Sequence, residues 1–153
     1  MRILIVSDSH QRSDLLSAII AREPEAAMII HLGDGKREAL EIKNNANIPV
    51  LLAKGNCDIC CEELQEELDL QICGKHIFAS HGDRFNVKFG LEKLQLYARL
   101  SNSDIVLFGH THVPYLNYED GVYFFNPGAV RDRCYGCLDL TDSGAFFIHK
   151  MLK

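Results

Sequence analysis

In the stretch Leu107-Phe108-Gly109-His110-Thr111-His112-Val113-Pro114, two histidines stand one residue apart where an apolar run ends. The run over residues 105–108 reads as a buried strand that stops at Gly109. His110 and His112 therefore belong to the turn that leaves the strand. On a helix, residues two apart diverge, whereas on extended backbone positions i and i+2 face the same way. Two imidazoles so placed can address one site or two adjacent metal ions. For this stretch alone, a pair of solvated loop histidines is an equal competitor.

The same change of polarity recurs along the chain. Ile3-Leu4-Ile5-Val6 is followed by Ser7-Asp8-Ser9-His10, and Ile29-Ile30-His31-Leu32 by Gly33-Asp34-Gly35. Val50-Leu51-Leu52-Ala53 leads to Gly55-Asn56-Cys57-Asp58, and Ile77-Phe78-Ala79-Ser80 to His81-Gly82-Asp83. Five apolar strands thus each deliver a carboxylate, carboxamide or imidazole at the carboxyl end, usually beside a glycine. In open α/β sheets that edge is where ligands bind, and glycine there permits sharp turns and close backbone approach. Asp, His and Asn together suit divalent manganese, iron, nickel or zinc.

The hydrophobic pattern places strands at 2–6, 28–32, 49–53, 105–108, 122–125, 137–140 and 145–149, and a hairpin with arms 68–73 and 76–80. Helices are expected at 13–22, with Ser13 as N-cap and Pro24 beyond its end, at 36–45 and at 91–100. Strand–helix alternation followed by a run of strands predicts an α/β protein with a mixed sheet or two stacked sheets.

At 153 residues, with 47% hydrophobic and 24% charged residues, one globular domain spanning 1–153 is expected. The net charge of −5, without a basic block, argues against a broad nucleic-acid face. No segment approaches the roughly 18 apolar residues of a membrane span, and the start turns polar too early for a signal peptide. A soluble, cytoplasmic protein is the expectation. The six cysteines are then read as reduced thiols. Cys134-Tyr-Gly-Cys137 has zinc or redox spacing without a matching second pair, and Cys57, Cys60 and Cys61 are too crowded for a zinc knuckle.

Taken in order, Asp8-x-His10, Gly33-Asp34, Gly55-Asn56, His81-Gly82 and Gly109-His110-x-His112 resemble the signature of the calcineurin-like metallophosphoesterases. Phe124-Phe125-Asn126-Pro127-Gly128-Ala129-Val130 resembles that family's late Asn-Pro-Gly loop. The short chain and Gly55-Asn56-Cys57-Asp58 look most like its small bacterial and archaeal YfcE-type phosphodiesterase branch. The resemblance implies a four-layer αββα sandwich of two mixed sheets flanked by helices, with the site at the sheet edges. It implies one metal ion held by Asp8, His10, Asp34 and His112, and a second held by Asp34, Asn56, His81 and His110, with Asp34 bridging. Two-metal sites space their ions about 3.5–4 Å apart and present a bridging hydroxide for in-line attack on phosphorus. Manganese is the expected ion, with nickel, iron or zinc as alternatives. Asp34, Asn56, Cys57 and His81 form the expected catalytic set.

Two departures stand out. Many members carry His directly after the metal-binding Asn, as a general acid for the leaving group; here the residue is Cys57. A thiol with an ordinary pKa of about 8.5 is a poor substitute for an imidazolium. Ala129 stands where the family often has Ser. The expected activity is hydrolysis of a small or nucleotide-like phosphodiester. Monoester or dinucleoside polyphosphate hydrolysis is the enzymatic alternative, and a non-catalytic protein-interaction scaffold is the alternative of another class. No nucleic-acid polymer or membrane partner is expected, while open sheet edges favour a homodimer or homotetramer.

Asp58 and Asp83 are read as hydrogen-bond partners of the imidazoles or as plain turn residues. Arg12, Arg131 and Arg133 are candidate phosphate contacts weighed against solvated arginines. Asn126 is a candidate for ordering the site through its side chain. His31 is read as a satisfied core or supporting histidine, His76 and His149 as surface strand residues, and residues 61–68 as a solvated acidic stretch.

Overall fold

The run Arg2–Val6 forms β1, and alternate residues on a strand point to opposite faces of the sheet. Ile3 and Ile5 enter one apolar cluster, Leu4 and Val6 another, and all four are fully buried. Such a strand needs a layer on each side, and the computed structural model, which describes residues 1–59 and 64–153, supplies both. After β1 come α1 (Ser13–Arg22), β2 (Ala26–His31), α2 (Lys36–Asn45), β3 (Val50–Leu52), β4 (Glu67–Ile72) and β5 (Lys75–Ser80). Then follow α3 (Glu92–Leu100), β6 (Ile105–Phe108), β7 (Tyr115–Glu119), β8 (Val122–Asn126), β9 (Cys134–Thr141) and β10 (Gly144–Met151), with short 3-10 turns at Asp83–Phe85 and Val130–Asp132. The strands form two five-stranded sheets, ordered β10-β9-β1-β2-β3 and β4-β5-β6-β8-β7.

The sheets stack through Ile3, Ile5, Ile30, Leu32, Ile77, Ala79, Ile105, Leu107 and Phe125. Burying a side chain of the Leu, Ile or Phe class contributes about 1.5–3 kcal/mol, so this interior is the principal apolar support of the fold. Leu15, Leu16 and Ile19 of α1 and Ile42 of α2 cover the outer face of the first sheet. Leu94 and Ala98 of α3 cover that of the second. This is the αββα sandwich. Within the first sheet β1, β2 and β3 run parallel, and within the second β5, β6 and β8 run parallel. Their carboxyl ends, with the polar turns that follow, emerge at one edge of each sheet. His81, after β5, donates from Nδ1 to the Leu32 carbonyl after β2 at 2.7 Å, which locks the two edges together.

Some expectations fail at element ends. Ser13 is the first helical residue, while Arg12 takes the cap position and makes no side-chain capping bond. The strand β7 lies at the edge of the second sheet, where Leu116 and Tyr118 pair with Phe125 and Tyr123 yet stay exposed. The last strand pair is longer than the pattern suggested, so Cys134 and Cys137 both lie within β9. Cys57, Cys73, Cys134 and Cys137 are free thiols, and neither Cys134 nor Cys137 belongs to a metal-ligating group among the described residues. Cys60, Cys61 and part of the acidic 61–68 stretch lie outside the described residues. No helix of the described residues is long and apolar enough to cross a membrane.

His149 and His76 are not simply solvated. His149 donates from Nε2 to the Asn126 carbonyl at 2.8 Å and stacks on Phe125. His76 meets the Asn102 carbonyl at 3.1 Å through Nδ1 and the Asp69 carboxylate at 2.7 Å through Nε2. Partial burial opposes the charge on His76, but these two acceptors outweigh it and raise its pKa. A raised folded pKa contributes stability that is fully present below the ordinary value of 6.5 and is lost as pH rises through the folded value. Accordingly, thermal melts of wild type and His76→Gln should differ most at pH 5.5 and converge by pH 8; a gap independent of pH would refute the assignment.

Candidate metal centre

Three of the five strand-end turns, those after β1, β2 and β6, place their polar residues by an unusual backbone. Asp8, His10, Asp34, His110 and His112 all adopt positive φ, between 43° and 66°. Non-glycine residues seldom occupy this region, and clusters of them mark functional sites. The two histidines of the opening stretch are thus not on extended backbone: successive left-handed turns, not i and i+2 alternation, aim them. The result is that they serve different neighbours. His110 Nδ1 lies 3.0 Å from His81 Nε2, while His112 Nε2 lies 3.0 Å from Asp8 Oδ1 and 3.4 Å from His10 Nε2.

Asp8 is fully buried. Its Oδ2 accepts from the Ser7 hydroxyl at 2.5 Å and the His110 N–H at 3.1 Å. Its Oδ1 has no hydrogen-bond partner, although His112, His10 and His81 present Nε2 at 3.0, 3.7 and 4.0 Å. A buried carboxylate oxygen facing three imidazole nitrogens suits a cation shared among them. Asp34 stands between the two groups. Its Oδ1 accepts from the Cys57 N–H at 2.7 Å, and its Oδ2 lies 3.4 Å from His81 Nε2 and 3.9 Å from His10 Nε2. Asn56 Oδ1 is 3.1 Å from His81 Nε2. Three donor groups converge here: Asp8 with His10 and His112; Asp8 with Asp34 and His81; and His10 with Asp34 and Cys57.

The charges respond to this crowding. Burial alone would raise the pKa of Asp34, but the hydrogen bond and charge of His81, with the Cys57 N–H, hold it well below the usual carboxylate range. Burial opposes a charged His81, yet Asp34, Asp8 and the Leu32 carbonyl draw its pKa up. Because Leu32 occupies Nδ1, the Nε2 of His81 is the atom left to face the centre. Burial lowers His110, assisted by the charge of His81. Burial and then the Asp34 carboxylate push the Cys57 thiol up to about 11.

The supporting residues depart from the sequence reading. Asp58 reaches no imidazole. Its carboxylate instead accepts from four backbone N–H groups, those of Gly55, Asp34, Lys36 and Gly35, at 2.8, 2.9, 2.9 and 3.1 Å. It fastens the turn after β3 to the turn after β2 and caps the start of α2. Asp83 makes no hydrogen bond to an imidazole among the described residues and acts on His110 only through charge. Arg12 is drawn to Asp14 by two bonds of 2.8 and 2.7 Å and is exposed. Arg131 is an exposed residue whose guanidinium lies 4.0 Å from Asp132. Asn126 donates to the Gly109 carbonyl at 2.8 Å and to Thr111 Oγ1 at 3.1 Å while accepting from the Gly128 N–H, so it fixes the turn that carries His110 and His112.

A second buried network had no counterpart in the sequence reading beyond His31 itself. Gly33 N–H donates to His31 Nδ1 at 3.2 Å, so Nε2 carries the proton toward Ser9 Oγ at 3.1 Å, and Ser9 donates onward to Glu38 at 2.9 Å. Burial lowers the pKa of His31 to about 4, which keeps it neutral. The serine between Asp8 and His10 was the one available signal for this chain. A cleft of about 340 Å³ opens beside the centre, where His10, Asp34 and Cys57 line it together with Lys36, Arg37 and Ile59.

An αββα sandwich that gathers Asp and His side chains where its two sheet edges meet defines the metallophosphoesterase class. Residues 1–143 match the model of the calcineurin-like phosphoesterase superfamily domain. The probable metallophosphoesterase YsnB of Bacillus subtilis is 33% identical over 132 residues, covering 86% of this chain and 76% of that one. The phosphodiesterase YfcE of Escherichia coli K12 is 25% identical over 168 residues, covering 91% and 88%. Among solved structures, a novel archaeal phosphodiesterase superposes with a TM-score of 0.79 at 22% identity over 99% of this chain and 100% of that one. A Vps29 variant from Entamoeba histolytica superposes with a TM-score of 0.77 at 20% identity over the whole of both chains. The chain belongs to the calcineurin-like phosphoesterase superfamily.

Proposed function

We propose that this protein hydrolyses small or nucleotide-like phosphodiesters at a dinuclear metal centre. The observation that carries the reading is Asp8 Oδ1, a fully buried carboxylate oxygen without a hydrogen-bond partner, surrounded by imidazole nitrogens. Asp8, His10, Asp34 and His112 would hold one ion, and Asp34, Asn56, His81 and His110 the other. The position of Asp34 Oδ2 between His81 and His10 supports its sharing. Divalent ions supply Lewis acidity for the phosphoryl oxygens and an acidified water as nucleophile. The chain's own residues prepare that centre: Leu32 orients His81, Ser7 and the His110 N–H orient Asp8, Asn126 fixes the His110–His112 turn, and Asp58 fixes Asp34.

The thiol of Cys57, which burial and Asp34 make a weaker acid still, is a poor proton donor to a leaving oxygen. Leaving groups must depart as anions, which favours diesters of acidic alcohols over alkyl monoesters. The test compares an aryl phosphodiester with an alkyl phosphomonoester on wild type and Cys57→His. Wild type should strongly prefer the diester, and the histidine should raise monoester turnover by about 100-fold or more, the scale of general-acid assistance. Equal rates on both substrates would support the phosphomonoesterase alternative, and no gain in Cys57→His would remove the leaving-group argument. Likeness to Vps29 shows the fold alone; a scaffold without turnover would bind metal and hydrolyse neither substrate.

A further inference from the structure

We propose that Cys57 is itself a metal ligand, its Sγ joining His10 and Asp34 on one ion of the centre. The inference rests on the dinuclear reading above and adds to it a soft sulfur donor. The Cys57 sulfur, an imidazole nitrogen of His10 and a carboxylate oxygen of Asp34 lie within 4.8 Å of one another. Donors sharing an ion with bonds of about 2.0–2.3 Å stand roughly 3–4 Å apart. The three atoms therefore need to draw together by no more than about 1–2 Å to share an ion. The backbone at Cys57 is already fixed, because its N–H donates to Asp34 Oδ1 at 2.7 Å. Asn56 Nδ2 approaches Sγ at 3.4 Å, which places the sulfur beside the amide whose Oδ1 faces His81.

A cysteine near polar residues is by itself no site. The independent sign of a cation is Asp8 Oδ1, buried, unpartnered and 3.7 Å from the same His10 Nε2 that faces Asp34. The Cys57 residue is exposed overall and belongs to none of the apolar core clusters of the described residues. In forming the bond, the S–H proton leaves to water and the sulfur lone pair goes to the ion, with no change of oxidation state. Thiolate is a soft donor that favours zinc and cobalt over manganese. Sulfur engaged in this way has no proton to give a leaving group, in keeping with the preference for acidic leaving groups.

Metal-free wild type and Cys57→Ser are each titrated with Co²⁺ and followed by absorption, with Zn²⁺/Mn²⁺ competition run in parallel. Both proteins should develop the visible bands of protein-bound cobalt. Only wild type should show the near-ultraviolet thiolate-to-cobalt charge-transfer band, and Cys57→Ser should lose about tenfold or more of the preference for Zn²⁺ over Mn²⁺. Visible bands without the near-ultraviolet band in wild type, or a near-ultraviolet band that persists in Cys57→Ser, would overturn the proposal while leaving the metal centre standing. Failure of both proteins to take up cobalt would instead remove the centre itself, and the sulfur ligand with it.

Discussion

Asp34→Asn should abolish metal-restored phosphodiester turnover, by well over the 10–100-fold that loss of an outer-shell partner costs, while the protein remains folded. The substitution preserves the acceptor that the Cys57 N–H uses at 2.7 Å. It removes the charge from the oxygen that lies between His81 and His10. The carboxylate is held strongly ionised there: burial works against it, but His81 and the Cys57 N–H hold its pKa well below the ordinary range. A neutral carboxamide can bind neither ion with the same strength, so both proposed shells weaken together. Circular dichroism should match wild type while hydrolysis of an aryl phosphodiester falls to background. Retention of more than a tenth of the activity would show that Asp34 is not shared between ions.

Asp58→Ala should be the most destabilising single change at the centre, costing about 3–5 kcal/mol. The carboxylate satisfies four backbone N–H groups from two turns, and each buried donor left unpaired costs about 1–3 kcal/mol, less where water enters. The turns have little room to readjust. A Cβ on Gly55 would fall 2.2 Å from Asp34 Oδ1, and one on Gly35 would fall 1.9 Å from Ser9 Oγ. Urea unfolding of Asp58→Ala and Asp58→Asn reads the effect; the asparagine, which keeps one acceptor oxygen, should lose less. A loss below about 1 kcal/mol in Asp58→Ala would mean that the turns hold themselves.

The difference between what the sequence disclosed and what it hid is physical. The apolar runs ending in Asp8, Asp34, Asn56, His81 and His110 were visible because strand burial and a polar terminus both leave marks in composition. The work of Asp58 was not, because its partners are backbone N–H groups, which every residue but proline carries. The Ser9–His31–Glu38 chain was hidden for a similar reason. It joins β2, α2 and the turn after β1, which sequence spacing does not relate. Extended geometry was the natural guess for His110 and His112, but left-handed backbone at both replaces it, held by Asn126 from the end of β8. β7 was missed because a short edge strand whose Tyr115, Asn117 and Glu119 alternate with exposed Leu116 and Tyr118 carries little apolar signal.

The most direct test of the central claim is aryl phosphodiester hydrolysis by metal-stripped protein as Mn²⁺ or Zn²⁺ is added in measured equivalents per chain. A dinuclear centre should give no turnover without metal and a rise that saturates at two ions per chain. Two ions bound with no turnover, or turnover that is complete without added metal, would contradict it.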